Sequence, residues 1–544
     1  MKKVNIIIIC TLIILLSNNL KAQKQNYNWF FGYNAGLTWK TPVIKQLEGL
    51  FGTPNGILTD LPANVAGSPM RTYEGCFSIS DANGNLLFFS DGTNVYDKNM
   101  SRLSSTLLGN PSSTQSGTIV LYPNEANKYV VISVGQWDAD NLSYSIINVD
   151  PATRLVSFQS AATTNVRFQG REGKLGESVT VGRHTNRKDL WVLAPGRSVI
   201  GGSGPFFLNV WKIDENGPQV NVHSSYEIND TRFKTYASNP GGYIRFSNDS
   251  QSFAWMNFGK GGSTPTSFLC YGKFNNLTGQ ITEVKIKEII VPSSFGYGVE
   301  FTNDGKYLYL TFAPDNINGN LASALFVYDF QQLLAASDPA TVNPIKQIVT
   351  PVSAVQNAGN NHFGSIQSGP DGRMYVSKLQ GTVSNSIYVI DNPKDPENLR
   401  IYKLPFTMTG QVAYWGLPNF AVPWYTTNIE LPTPPNGICA GSEVPIDIYI
   451  VDGEGFDKIS KISIDFGDGT DPIFYSPVIA GIHRENHTYK EPGIYSVTIT
   501  SYAEGIDENN NTVDIETTSV SKTLILNTCG IKVNPFIRGD LSTN

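Results

Sequence analysis

The chain is poor in charge and in cysteine. Only 16% of its 544 residues are Asp, Glu, Lys or Arg, and 46 acidic against 40 basic residues leave a formal net charge of −6 with no basic block. A phosphate backbone has nothing to pair with, so nucleic acid is not an expected partner. The five histidines, His184, His223, His362, His483 and His487, include no H-E-x-x-H and no Cys/His pairing at zinc distances. There is no G-x-S-x-G elbow and no Walker loop, and the run Gly201-Gly202-Ser203-Gly204-Pro205 lacks the helix that would make a phosphate cradle. No cofactor and no metal are therefore expected, and the chain reads as non-catalytic. Long amphipathic helices are missing too. The one helical stretch between residues 27 and 425 is Asp329 to Ala336, about two turns in a connection.

Long apolar runs are confined to the N-terminus. Met1-Lys2-Lys3 leads into Ile6 to Leu16, too short to span a bilayer, and Leu20-Lys21-Ala22 precedes Gln23. That is the pattern of a secretory signal peptide over residues 1–22, cleaved near Ala22. The mature chain is expected to be secreted or held at the outer cell surface, with no transmembrane segment. Export permits disulfides, and Cys439 and Cys529 stand near the two ends of a C-terminal module that they could staple, although spacing alone does not fix connectivity. Cys76 and Cys270 lie in apolar contexts that suit buried free thiols.

What is abundant is turn residues and aromatics: 50 Gly, 31 Pro, 28 Phe, 25 Tyr and 8 Trp, the balance of a turn-rich all-β protein. From residue 27 to 425 a polar turn on Asn or Asp with Gly recurs before a short apolar strand. Examples are Asp81-Ala82-Asn83-Gly84 before Leu86 to Phe89, Asn303-Asp304-Gly305 before Tyr307 to Leu310, and Asp371-Gly372 before Met374 to Val376. A second strand usually follows and ends on an acid, as in Val95-Tyr96-Asp97 and Val327-Tyr328-Asp329. This order predicts the four-stranded blades of a β-propeller, about seven of them, with the strand after the Asp-Gly turn innermost. Trp29 to Gly32 would close the ring against Trp415 to Phe420.

A proline-rich linker at 426–436 separates that span from a module at 437–527, and residues 528–544 form a tail or the start of a further region. The module carries Asp465-Phe466-Gly467-Asp468-Gly469, His487-Thr488-Tyr489 and Gly493-Ile494-Tyr495-Ser496-Val497. It resembles the PKD domain family, which implies an immunoglobulin-like β-sandwich that spaces or presents other domains. Residues Trp29 to Leu37, Glu74 to Asp81 and Gly109 to Ser116 resemble the N-terminal regions of secreted surface proteins of Bacteroidetes. In those a propeller precedes PKD-like modules, and export by the type IX secretion system, sometimes linked to gliding, is typical. The sorting domain that usually ends such chains is not among the residues after the module.

Polar residues placed before the strands read as innermost could line the mouth of a central channel: Glu74, Arg171, Glu172, Lys174, His184, Glu300 and His362. Such a ring suits binding of an extracellular glycan or a surface protein, with adhesion as the role. The alternatives are a polysaccharide hydrolase or lyase working through Glu172 and His184, and a structural part of an adhesion or gliding filament. A hydrolase requires two carboxyl groups facing one pocket. A binder requires aromatic rings open at the channel mouth.

Overall fold

The computed structural model describes residues 24–125, 127–136, 139–186, 188–198, 204–236, 241–260, 266–314, 322–350, 362–379, 384–422, 429–430, 438–450, 459–479, 481–506 and 512–528. The signal segment, Cys529 and most of the linker lie outside these residues. The structure is all-β and divides into two compact units, one over Lys21–Thr427 and one over Asn428–Asp452 with Lys458–Asn544.

In the first unit, antiparallel sheets follow one another along the chain. Each begins with a short strand, Phe77–Ser80, Gly117–Leu121, Thr180–Arg183, Ile244–Phe246, Ser294–Phe301 and His362–Ser368 in turn, and adds the next strands outward. The sheet led by Ile244–Phe246 continues with Ser252–Lys260, Thr266–Asn275 and Gln280–Ile290. The last of these sheets is completed from the other end of the unit. Its strands Asn28–Phe31, Ala35–Leu50 and Gly56–Asn64 come from the N-terminal side. The segment Gln411 to Val422 returns from the C-terminal side, pairing Val412 with Tyr33 and, in parallel, Pro418 with Cys76. Trp29 meets Phe420 with ring centroids 5.9 Å apart and Tyr375 of the sixth sheet at 5.4 Å, and Glu48 to Leu50 pair with Ile401 to Lys403, so the ring closes. This is the arrangement of a β-propeller.

The strand after each Asp-Gly turn is second in its sheet, not innermost as the sequence pattern predicts. Tyr307–Pro314 lies outside Ser294–Phe301, and Met374–Leu379 outside His362–Ser368. The reason is physical. The true inner strands carry Ser78, Ser80, Thr118, Thr180, Arg245 and Gln367, all buried, and these polar residues interrupt the apolar alternation by which a strand is recognised. The turns themselves are as read: Asp81 accepts hydrogen bonds from the amides of Asn83 (2.7 Å) and Asn85 (2.9 Å), and Gly84 takes φ +77°, a conformation costly for other residues.

The second unit has a three-stranded sheet ordered Ile429–Glu430, Glu443–Ile450, Gly481–Thr488 and a five-stranded sheet ordered Ile438–Cys439, Thr512–Asn527, Gly493–Ile506, Ile459–Asp465, Ile473–Tyr475. Val444, Ile446 and Ile448 of one sheet and Ile462, Ile464, Val497, Ile499 and Leu524 of the other share one core, at the period of two that a strand imposes. Cys439 is disulfide-bonded, whereas Cys76 and Cys270 are free and buried. At the Asp465 to Thr470 turn, His487 Nε2 lies 2.8 Å from Asp468 Oδ2 and its ring stacks on Phe466 at 3.8 Å.

That turn gives a pH prediction. Partial burial works to raise the Asp468 pKa, but hydrogen bonds from the Thr470 hydroxyl and amide and from His487 outweigh it and hold the carboxyl at about 2. A carboxylate whose pKa is depressed on folding contributes stability that is present above its unfolded value near 4 and lost as pH falls toward 2. Amide-exchange protection of Gly481–Thr488 should therefore fall between pH 4 and about 2, and Asp468→Asn should flatten that dependence. An unchanged slope in the variant would assign the acid sensitivity elsewhere.

Candidate functional site

The centre of the ring is filled. Asn419, on the returning segment, donates through Nδ2 to the carbonyls of Gly117 (2.7 Å) and Val179 (3.2 Å), and its amide donates to Cys76 (2.7 Å). Its Oδ1 accepts from Arg245 and from Gln115 Nε2. Arg245 also donates to Gln367 (2.7 Å) and meets Glu300 at 3.3 Å, while Gln367 donates to the same Glu300 oxygen at 3.1 Å. Burial pushes the Glu300 carboxyl up, with Arg245 opposing it. All these groups are buried, so among the described residues the axis here is a pinned polar core that ties the returning segment to inner strands of the ring.

Above this core lies the face on which the inner strands begin, which we call the head. Glu74 stands before Phe77–Ser80 and Glu177 before Thr180–Arg183, and the segment Ser112 to Thr114 ties them together. Ser112 Oγ donates to Glu74 at 3.3 Å, while Thr114 donates to Glu177 through its amide (3.0 Å) and its hydroxyl (2.8 Å). Tyr297 donates to the other Glu74 oxygen at 3.0 Å. Burial pushes the Glu74 carboxyl up to about 8, Glu177 adds to the shift, and the hydrogen bonds from Tyr297 and Ser112 oppose it. Burial and Glu177 thus favour the protonated form of Glu74.

Aromatic rings flank this pair. Tyr33, Tyr73 and Tyr414 form a triad with centroids 4.5–5.5 Å apart, and Tyr73 is 52% exposed. The triad adjoins the acids because Tyr73 precedes Glu74 and its carbonyl accepts from the Trp415 amide at 2.9 Å. Trp415 packs against Tyr297 at 5.4 Å and Phe295 at 5.8 Å. The approach requires glycine at 416, where a Cβ would come within 1.7 Å of the Glu74 carbonyl oxygen.

Of the residues named from sequence, Glu74 is at the head and Glu300 in the central core. Arg171 and Glu172 lie on a surface loop, where Arg171 pairs with Asp140 at 2.7 Å and the Glu172 backbone is clamped by Asn209, and Lys174 begins the short strand Lys174–Leu175 that pairs with Arg197 and Gly196. His184 follows the inner strand Thr180–Arg183, so it stands at the opposite end of that strand from Glu177. It stacks on Trp191 at 5.5 Å, accepts from the Asn186 amide at 3.0 Å, and has its pKa lowered by burial and by Lys212. His362 is buried, which lowers its pKa, and neither ring nitrogen has a hydrogen-bond partner among the described residues. The seven do not form one ring. Tyr33, Tyr73, Tyr297, Tyr414, Trp415 and Glu177 complete the head. The one sequence signal for them was the Tyr73-Glu74 and Tyr414-Trp415 pairs standing in turn-rich stretches outside the strand pattern.

Among the described residues no group of three or more His, Cys, Asp or Glu is placed to hold a metal ion, and no helix is long and apolar enough to cross a membrane.

The head and the ring define an all-β protein with an aromatic and acidic face. No protein-family model matches the chain, and no curated protein matches it. Solved structures do resemble it. The Nup133 β-propeller domain of Vanderwaltozyma polyspora is 10% identical over 70% of this chain and 95% of its own, with a TM-score of 0.34. A hypothetical selenium-binding protein from Sulfolobus tokodaii is 9% identical over 80% and 89%, with a TM-score of 0.30. The periplasmic gluconolactonase of Pseudomonas aeruginosa is 13% identical over 64% and 99%, with a TM-score of 0.26. The ring rests on the chain's own strand pairing and not on these likenesses.

Proposed function

We propose that this chain is an extracellular binding protein whose head face holds a saccharide chain, with the second unit, a PKD-like sandwich, acting as a spacer at the cell surface. The observation that carries the reading is the tyrosine triad, with Tyr73 exposed, beside hydrogen-bonding acids. Aromatic faces stack on the C–H faces of pyranose rings, and Glu74 and Ser112 offer donors and acceptors to hydroxyl groups. Signal-peptide-directed export, and a route of the type IX kind, fit this role and belong to the same proposal. A screen of the secreted chain against polysaccharides and surface proteins tests it. Tyr73→Ala should weaken binding of the retained saccharide about tenfold, since an exposed ring in a contact is worth on the order of 1–2 kcal/mol. If no saccharide is retained, or the variant binds as well as the parent, the reading fails.

A second reading, a polysaccharide hydrolase or lyase, draws on the same pair. A carboxyl pushed up to about 8 next to a second carboxyl suits a general acid with a partner base. Release of reducing ends from the retained polysaccharide, abolished in Glu74→Gln, would favour this reading over binding alone.

A further inference from the structure

The ring unit's two cysteines, Cys76 and Cys270, are free and buried, so its closure rests on hydrogen bonds and packing. At the seam the Tyr33 amide donates to the Val412 carbonyl at 2.9 Å and the Val412 amide returns the bond at 3.0 Å. Gly32 takes φ +54° there, and a Cβ on it would come within 2.1 Å of the Val412 carbonyl oxygen, so the register of the two segments is fixed. Tyr33 and Tyr414 meet across this seam with ring centroids 4.5 Å apart and 44° between their planes. A bond between the carbons ortho to their hydroxyls would hold the centroids little closer than this. Both rings are partly exposed, within reach of a small oxidant. Hydrogen bonding to Tyr73, then partial burial and the Tyr414 hydroxyl, push the Tyr33 pKa up to about 12, so at neutral pH Tyr33 is a phenol with a neighbouring oxygen to take its proton. Two other tyrosine pairs touch, Tyr243 with Tyr297 at 5.5 Å and Tyr489 with Tyr495 at 4.5 Å. Tyr243, Tyr297 and Tyr489 are buried, and Tyr489 and Tyr495 donate to the carbonyls of Phe466 (3.1 Å) and Glu491 (2.8 Å).

We propose that Tyr33 and Tyr414 are a modification site, joined by one-electron oxidation into a dityrosine that latches the ring. The oxidant is a peroxide acting through a peroxidase. Each phenol gives up one electron and one proton, and the two radicals form a carbon–carbon bond between their ortho carbons. The ortho hydrogens then pass to the oxygens as the rings regain aromaticity. The protein loses two hydrogens in all, and one peroxide becomes two waters. The product ties the first turn of the ring unit to its last segment. A cross-link of this reach constrains the unfolded chain far more than the folded ring, which already holds the two residues together. Tyr73, edge-on to both partners at 5.5 and 5.2 Å, keeps its exposed ring, so the inference does not depend on the saccharide reading.

The test treats the full secreted chain with limiting hydrogen peroxide and a haem peroxidase, and reads the blue dityrosine emission together with mass spectrometry of the digested product. Peptides carrying Tyr33 and Tyr414, joined with the loss of two hydrogens, are expected at about ten times the yield obtained from the urea-unfolded chain, because folding holds the reacting rings together. The thermal midpoint of the oxidised ring should then rise by on the order of 5 °C. Tyr414→Phe keeps the ring packing and removes the hydroxyl, so it should abolish both the joined peptide and the shift. Tyr73→Phe should keep both, and tryptophan emission checks that each variant is folded. Oxidation that leaves Tyr33 and Tyr414 unjoined, joins them equally well in the unfolded chain, or links Tyr73 to either in their place overturns the inference. A joined peptide with no rise in the midpoint overturns the latch.

Discussion

Arg373→Ala is expected to lower the stability of the ring unit by about 3–5 kcal/mol, the cost of removing one partner from a buried ion cluster. Arg373 is 1% exposed and holds two acids, Asp371 at 3.0 Å through one terminal nitrogen and Asp391 at 2.8 Å through Nε. Tyr375 donates to Asp371 at 2.6 Å, and Arg400 donates to Asp391 at 2.7 Å from the surface. Burial alone would lower the Arg373 pKa, but Asp371 and Asp391 together raise it, so the guanidinium is held charged. Truncation leaves Asp371 buried without the Arg373 cation and Asp391 with Arg400 alone. The damage should spread to the ring closure, because the Tyr375 ring that Asp371 fixes also packs on Trp29 and Trp39. Tryptophan fluorescence isolates the effect, since Trp424 is the last tryptophan in the chain and the second unit has none. A denaturant midpoint that moves by less than about 1 kcal/mol equivalent would show that solvent or a neighbour replaces the cation.

The parts of the fold that were legible in the sequence are those governed by local rules. Asp81 to Asn85 announces a hairpin because an Asp acceptor and a glycine at positive φ leave few other conformations. The outer strands alternate apolar and polar residues, and Val444 to Ile448 does the same in the second unit. The inner strands escaped because their residues answer to partners hundreds of positions away. Arg245 is matched by Gln367 and Asn419, and no local pattern carries that information. The consequence for the site was direct. Taking Leu190–Arg197 as innermost, in place of Thr180–Arg183, puts His184 at the mouth of the ring, whereas moving one strand inward exchanges the two faces. Glu74 could be named because it precedes a true inner strand. The tyrosine triad could not, since Tyr33, Tyr73 and Tyr414 are brought together only by ring closure.

Arg245→Met should cost the ring unit a comparable 3–5 kcal/mol or so, with a pH signature set by Glu300. Wild-type Glu300 is buried with its pKa pushed up by burial and held back by Arg245, Ser368 and Phe301. Without the arginine the opposition weakens, so the folded-state pKa rises further above its unfolded value near 4. A carboxyl raised in this way contributes stability that is fully present below the unfolded pKa and lost as pH rises through the folded one. The deficit of the variant relative to wild type should therefore be small near pH 4 and grow toward pH 8. Adding Glu300→Gln should restore part of the loss at pH 8, because an amide carries no charge to desolvate and can still accept from Gln367. A deficit that is flat with pH, or a double variant less stable than Arg245→Met, would mean that Arg245 works through Asn419 and the pinning of the returning segment, and not by neutralising Glu300.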